Sequence, residues 1–406
     1  MAKIESSSQP RVVIVGGGYA GVLAALRASR RLRGRASIVL IDGRDALVER
    51  VRLHEAVACG RVIEHSYAKL LRGSGVRFVR GWVQSIDTAR RRVVLADEAL
   101  EYDRLLLALG SAVAREAVPG VAEHALALDP DRGAELHAKV ASVAERRGRV
   151  VVCGGGLSGV EMAAELAEVH PGLEVTLVTQ GELGAMISVE GREYLRAASI
   201  RLGVRVREHV TIERVEAGAL RCADERIEFD VCIWAAGFVA SPLLRAAGLR
   251  VDARGQALVD PQLRALEHEA VFVAGDAARI QLPQDPHCAM AMGCKTAMPM
   301  AAHASDNLAA SLLGRPLAAF DFADPGLCIS LGRRDGLIQT MPGGHPGGVR
   351  ARGRLAAWIK ERICRYTIHA LAWQRIGVDY RWLKSGRAAT VSRGEPIEAL
   401  SGGLGS

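Results

Sequence analysis

Two glycine clusters carry the clearest chemistry in this sequence. Gly16-Gly17-Gly18-Tyr19-Ala20-Gly21 and Gly154-Gly155-Gly156-Leu157-Ser158-Gly159 each set three glycines in a G-x-G-x-x-G register. In such a cluster the first glycine permits a tight turn and the second lets the backbone approach a pyrophosphate. The third lets a helix pack closely on its strand. Free N–H groups and the positive end of the helix dipole then face the phosphates. Asp42 follows the run 36–41, where an acceptor for ribose hydroxyls is expected. After the second cluster the same place holds Thr179-Gln180, and no Arg follows until Arg192. An acid there would favour a free 2′-hydroxyl and an Arg a 2′-phosphate, so the choice between NADH and NADPH stays open.

The elements that must position these loops are legible nearby. Arg11-Val-Val-Ile-Val15 and Arg149-Val-Val-Val-Cys153 are short apolar runs ahead of the glycines, and alanine-rich helical stretches follow them. Further strands end at chemistry-bearing turns: 101–110 at Gly110, 230–237 at Ala236-Gly237, and 270–276 at Gly275-Asp276. The pattern predicts an α/β chain with two Rossmann-like, doubly wound dinucleotide-binding domains, the second inserted in the first, plus a C-terminal domain. Two dinucleotide folds in one chain imply two bound dinucleotides, one donating hydride to the other.

A length of 406 residues suits two or three domains, and 49% hydrophobic with 24% charged residues is ordinary globular composition. The net charge of +8 is local: residues 349–387 hold ten Lys or Arg against Glu361 and Asp379, which leaves the rest neutral. Within that segment Leu355, Ile359, Ile363, Tyr366, Ala370 and Trp373 recur at helical spacing beside Trp358 and Trp382. A basic helix of this kind reads either as membrane-surface contact or as a helix docked on its own domain or a dimer partner. Upstream, Gly343-Gly-His-Pro-Gly-Gly348 reads as a linker. No apolar run approaches the roughly 18 residues of a membrane span, and the polar start lacks a signal-peptide core. A cytoplasmic chain, peripheral at the inner face of the membrane, is expected. The eight dispersed cysteines read as reduced thiols, with no metal site and nucleic acid an unlikely partner.

At these motifs the chain resembles the pyridine nucleotide-disulfide oxidoreductase superfamily, and within it the type II NADH dehydrogenase and apoptosis-inducing-factor-like branch. The resemblance spans roughly residues 10–320. It implies FAD on residues 1–115 with 256–320, NAD(P)H on 116–255, and a C-terminal part over 321–406. FAD contacts would come from Gly16, Gly18, Tyr19, Ala20, Gly21, Asp42, Gly43, Arg44, Val83, Ala108, Gly110, Gly275 and Asp276, with Lys295, Thr296 and Ala297 at the flavin's edge. NAD(P)H contacts would come from Gly154, Gly156, Leu157, Ser158, Gly159, Thr179, Ala236 and Gly237.

Disulfide reductases of the superfamily place a Cys-x-x-x-x-Cys pair after the second strand, but here that stretch has only Cys59. Cys59 reads as a buried small apolar residue, and Cys288 with Cys294 only weakly as a redox pair. Arg50, Arg52 and His54 occupy the stretch instead. They either line the flavin, where Arg52 steadies the reduced anion and His54 relays a proton, or form an exposed basic loop. Glu161 resembles the Glu of the Gly-Val-Glu motif beside nicotinamide and flavin; a helix-dipole role would also explain it. Type II dehydrogenases carry Ala-Gln-x-Ala-x-Gln-x-Gly near the quinone end of the flavin. This chain has Lys295 and Pro299 there, which points Lys295 at the flavin N1/O2 charge. The expected activity is hydride transfer from NAD(P)H to FAD, then electron transfer to a quinone or quinone-like acceptor. The alternatives are a reductase for an electron-transfer protein or partner oxygenase, or a slow redox-sensing interaction protein.

Overall fold

The computed structural model describes residues 9–282 and 285–387; the side chains of 281–289, Cys288 included, lie outside that description. Strand Arg11–Val15 lies at the centre of a five-stranded parallel sheet. Ser37–Asp42 and then Val76–Arg80 lie on one side of it, Arg104–Leu107 and then Val271–Val273 on the other. Its inner strands are apolar because the sheet is covered, by helices Tyr19–Leu32 and Cys294–Leu312 and by the antiparallel meander over 85–101. Helix Tyr19–Leu32 packs on one face and against helix Cys294–Leu312, which is buried over most of its length.

The second sheet repeats the first. Arg149–Cys153 is central, Glu174–Val178 and Arg205–Arg207 lie to one side, Val231–Trp234 and Leu126–Ala127 to the other, all parallel. Each sheet also carries a three-stranded antiparallel meander, at 85–101 in the first and 212–228 in the second. The antiparallel pair Ser111–Val113 with Phe238–Ala240 ties the two units together where the chain passes between them.

The C-terminal part departs from two expectations. The run 343–348 joins the hydrogen-bonded antiparallel strands Gly336–Gln339 and Val349–Arg352, so it is a hairpin connection and not a linker. In helix Gly353–Ile376 the docked face is Ala356, Lys360, Cys364, Thr367, Leu371 and Gln374, with Ala370 buried beside it. The large apolar residues stand outward: Leu355 is 60% exposed, Trp358 57% and Ile376 68%. A face of small and polar residues docks because it fits close against a site of charged groups, and the apolar surplus is left in solvent.

Candidate functional site

The first glycine loop has no room for side chains except where a ligand would lie. Gly16 has φ +102°, and a Cβ there would fall 2.3 Å from the Ala108 carbonyl oxygen. A Cβ on Gly21 would fall 1.7 Å from the Gly16 carbonyl oxygen, which is the close helix–strand contact expected of the third glycine. Gly18, by contrast, faces open space and begins helix Tyr19–Leu32 with no side-chain cap, so the helix N–H groups are free for an anion. Asp42 is held by the N–H groups of Gly17 and Arg44, at 2.6 and 2.9 Å. Gly43 fits against the Trp82 indole, which Arg44 also overlies while pairing with Asp131 at 2.6 Å. Val83 packs at the edge of this core, and Tyr19 and Ala20 are buried.

Across the crevice, Asp276 accepts the Ser111 hydroxyl at 2.7 Å and the Gly293 N–H at 2.8 Å. Gly293 opens helix Cys294–Leu312 without a side-chain cap, and Thr296 folds its hydroxyl back onto the Ala291 carbonyl at 2.7 Å. Gly275 lies against Ala297, where a Cβ would fall 3.3 Å from the alanine methyl. Arg50 is a residue whose role only the structure makes visible. Its side chain is exposed to the crevice beside Gly110 and has no ion pair among the described residues; partial desolvation by the surrounding protein lowers its pKa, with Asp276 pulling the other way.

The second loop repeats the geometry. A Cβ on Gly159 would fall 1.9 Å from the Gly154 carbonyl oxygen, and Gly156 opens helix Leu157–Val169 uncapped, with open space before it. Gly155 approaches Thr179 as Gly17 approaches Asp42, so Thr179 occupies the position of the ribose-reading acid. Gly237 closes the far side, its carbonyl accepting the Ala114 N–H at 2.6 Å.

Where the halves meet, Glu161 is clamped. Its Oε1 accepts the Ser330 N–H at 3.0 Å and the ammonium of Lys360 from the C-terminal helix. Both side chains are nearly buried, at 12% and 9% exposure. Burial opposes the Lys360 charge, but Glu161 more than offsets this, and the Lys360 pKa ends above its ordinary value. In the sequence Lys360 stands out only as one of the ten basic residues of 349–387, set at i, i+4 from Ala356 and Cys364 inside a stripe that otherwise reads as apolar.

Several expectations require correction here. Lys295 pairs with Asp324 at 2.7 Å, so its ammonium already has a carboxylate partner. Arg52 and His54 are buried, so the stretch is no exposed basic loop. Arg52 is taken by Glu49, Glu55 and Glu361 at 2.9, 2.8 and 2.8 Å, which leaves it a clamp rather than a free cation. Burial, with Lys360, Arg333 and Arg52 nearby, pulls the His54 pKa well below its ordinary value. A neutral His54 accepting from Arg333 at 3.1 Å is poorly suited to relaying protons near pH 7. Cys59, expected inside, is exposed.

Beside helix Cys294–Leu312 lies a cavity of about 320 Å³, lined by Lys295, Pro299, Phe322, Tyr366, Tyr380 and Trp382 among others. It lies between that helix and the C-terminal segment. The described residues contain no cluster able to hold a metal ion and no helix long and apolar enough to cross a membrane.

A family model described as pyridine nucleotide-disulphide oxidoreductase matches residues 10–293. An NADH dehydrogenase-like protein of Mycobacterium tuberculosis is 32% identical over 338 residues, 76% of this chain and 82% of the relative. The demethylphylloquinone reductase of Synechocystis is 26% identical over 400 residues, 93% of this chain and 96% of its own. In fold, the sulfide:quinone oxidoreductase of Aquifex aeolicus superposes with a TM-score of 0.78 at 17% identity, covering 91% of this chain and 92% of that one. Paired glycine loops, opposed uncapped helices and a family match across both folds lead to one assignment: the chain belongs to the pyridine nucleotide-disulphide oxidoreductase family, whose members use FAD and NAD(P)H.

Proposed function

We propose that the protein is an FAD-dependent NAD(P)H dehydrogenase that passes electrons to a quinone-like small molecule at a membrane surface. FAD would lie on residues 1–115 with 256–320, held by Gly16, Gly18, Gly21, Asp42 and Asp276, with Arg50 against its diphosphate. NAD(P)H would lie on 116–255, over Gly154, Gly156 and Gly159. Bound FAD would supply the two-electron chemistry, accepting hydride and releasing electrons. The chain's own residues orient the two dinucleotides, exclude water, and hold the Glu161 carboxylate against the Lys360 ammonium.

The observation that carries the acceptor is the aromatic cavity. Its volume of about 320 Å³ falls at the lower end of ligand-site sizes, and it joins the flavin-capping helix to the surface around Tyr366 and Leu383. A planar apolar ring with a greasy tail fits such a lining. The outward Leu355, Trp358 and Ile376, among the arginines of the C-terminal helix, suit a surface of anionic lipid. The names of the demethylphylloquinone reductase and the sulfide:quinone oxidoreductase support a quinone acceptor for this chain. Steady-state rates with a panel of quinones test the reading. Turnover well above the oxygen-only rate is expected, and quinone rates no higher than with oxygen alone would overturn it.

A further inference from the structure

Thr179 stands where an acid or an arginine would read the 2′ position of a nicotinamide nucleotide, and it is neither. The loop that follows brings both to this edge. Residues 180–183 arch between two points fixed to the second glycine loop. One is Thr179, whose hydroxyl oxygen a Cβ on Gly155 would meet at 2.5 Å; the other is Gly184, whose N–H donates to the Gly155 carbonyl at 3.1 Å. Leu183 is buried beneath the arch, and its N–H donates to Glu208 at 2.7 Å. Gln180 and Glu182 are left on the open side.

The Glu182 carboxylate meets the Arg192 guanidinium at 2.9 Å. Arg192 comes from helix Val189–Leu202, whose start is fixed by Ser188. The Ser188 hydroxyl accepts the Gly191 N–H at 3.2 Å, and the buried Gln339 carbonyl accepts the Ser188 N–H and hydroxyl at 3.0 and 2.8 Å. An arginine this early in a helix lies toward the positive end of its dipole, which is unfavourable unless an anion stands by it. Glu182 is that anion. The neighbouring arginines are already committed: Arg196 to Glu208 at 2.8 Å and Arg207 to Glu225 at 2.7 Å. Glu182 is 44% exposed and Arg192 22%, so their pair holds only weakly against a competing anion.

We propose that Glu182 and Arg192 read the 2′ position of the bound nicotinamide nucleotide, and that as a pair they accept either form of it. With NADH the Glu182 carboxylate accepts the ribose 2′-hydroxyl while Arg192 stays paired with it. With NADPH the 2′-phosphate, carrying about two negative charges, displaces the single carboxylate from the Arg192 fork, and Glu182 turns to solvent. The proposal rests on the placement of NAD(P)H over residues 116–255 in the proposed function. Thr179 then only fills the strand end, a small side chain 8% exposed that favours neither nucleotide.

The FAD-loaded protein is titrated by calorimetry with ADP-ribose and with 2′-phospho-ADP-ribose, which present the 2′ group without a nicotinamide, so no redox step enters. In Glu182→Gln the carboxylate that competes with phosphate is gone, and the ratio of the two dissociation constants should shift by about tenfold or more toward the phosphorylated ligand. Arg192→Gln should shift it by about tenfold or more the other way, and Arg192→Lys, which keeps a cation, should retain part of the phosphate affinity. Stopped-flow bleaching of the flavin by NADPH and by NADH should show the same shifts in ratio. A pair with only a structural role would move both ligands together, and because the ratio is read within each variant, a general loss of stability does not mimic the shift. A ratio that stays fixed in both Glu182→Gln and Arg192→Gln would overturn the proposal. An unaltered protein that binds neither ligand, and whose flavin neither nucleotide bleaches, would overturn the functional reading itself and the proposal with it.

Discussion

Lys360 joins the two halves of the site, because among the described residues its ammonium is the only cation on the Glu161 carboxylate and it arrives from an element remote in sequence. Removing one member of a buried pair strands the other charge, so Lys360→Met should cost about 3–5 kcal/mol in urea denaturation. Adding Glu161→Gln should recover most of that loss, because no unpaired charge then remains. Asp42→Ala removes the acceptor for two N–H groups and, under the proposed function, for the ribose hydroxyls. Each hydrogen bond is worth about 0.5–1.5 kcal/mol net, so FAD titration of the apoprotein should show clearly weaker binding. At Thr179 neither an acid nor a phosphate clamp is present, and NADH and NADPH should bleach the flavin at rates within about 100-fold, a difference below about 2.7 kcal/mol. A wider ratio by stopped flow would mean that another residue reads the 2′ position.

Among the elements, helix Gly353–Ile376 shows where periodicity misleads. Its apolar residues recur at helical spacing, but Leu355, Ile363, Tyr366 and Trp373 are exposed, whereas Lys360, Thr367 and Gln374 are buried. Hydrophobic spacing locates an apolar face; it cannot say that the face meets protein. The buried polar residues have partners only tertiary structure supplies: Lys360 meets Glu161, and Gln374 binds the Asp379 carboxylate and the Tyr380 N–H. The double variant Trp358→Glu with Ile376→Glu should therefore leave flavin content and melting temperature nearly unchanged, since surface substitutions usually shift stability by no more than about 0.5 kcal/mol. The same variant should weaken liposome binding, most of all at high salt where apolar anchoring holds it, which co-sedimentation checks. A drop in melting temperature would show instead that the outward face packs against protein.

At the scale of the whole molecule, all of the excess positive charge falls in residues 349–387. Each basic residue near an anionic bilayer contributes about 1 kcal/mol, screened over a Debye length of about 8 Å at physiological salt. Co-sedimentation with anionic vesicles should be strong at low salt and partial at high salt, with the exposed Trp and Leu residues holding the remainder. Binding indifferent to salt would remove charge from the account. The α/β class, the two glycine loops and the strands that carry them were legible in the sequence alone, because a tight turn against a parallel strand admits few residues besides glycine. The same local logic located Asp42, Thr179 and Asp276 at strand ends. What surrounds Glu161 was decided only by tertiary structure. Lys360 and Ser330 lie more than 160 residues further along the chain and approach it only when the C-terminal helix and strands dock. Charge pairing and burial depend on which distant elements share a dielectric environment, and residue spacing along the chain carries no record of that.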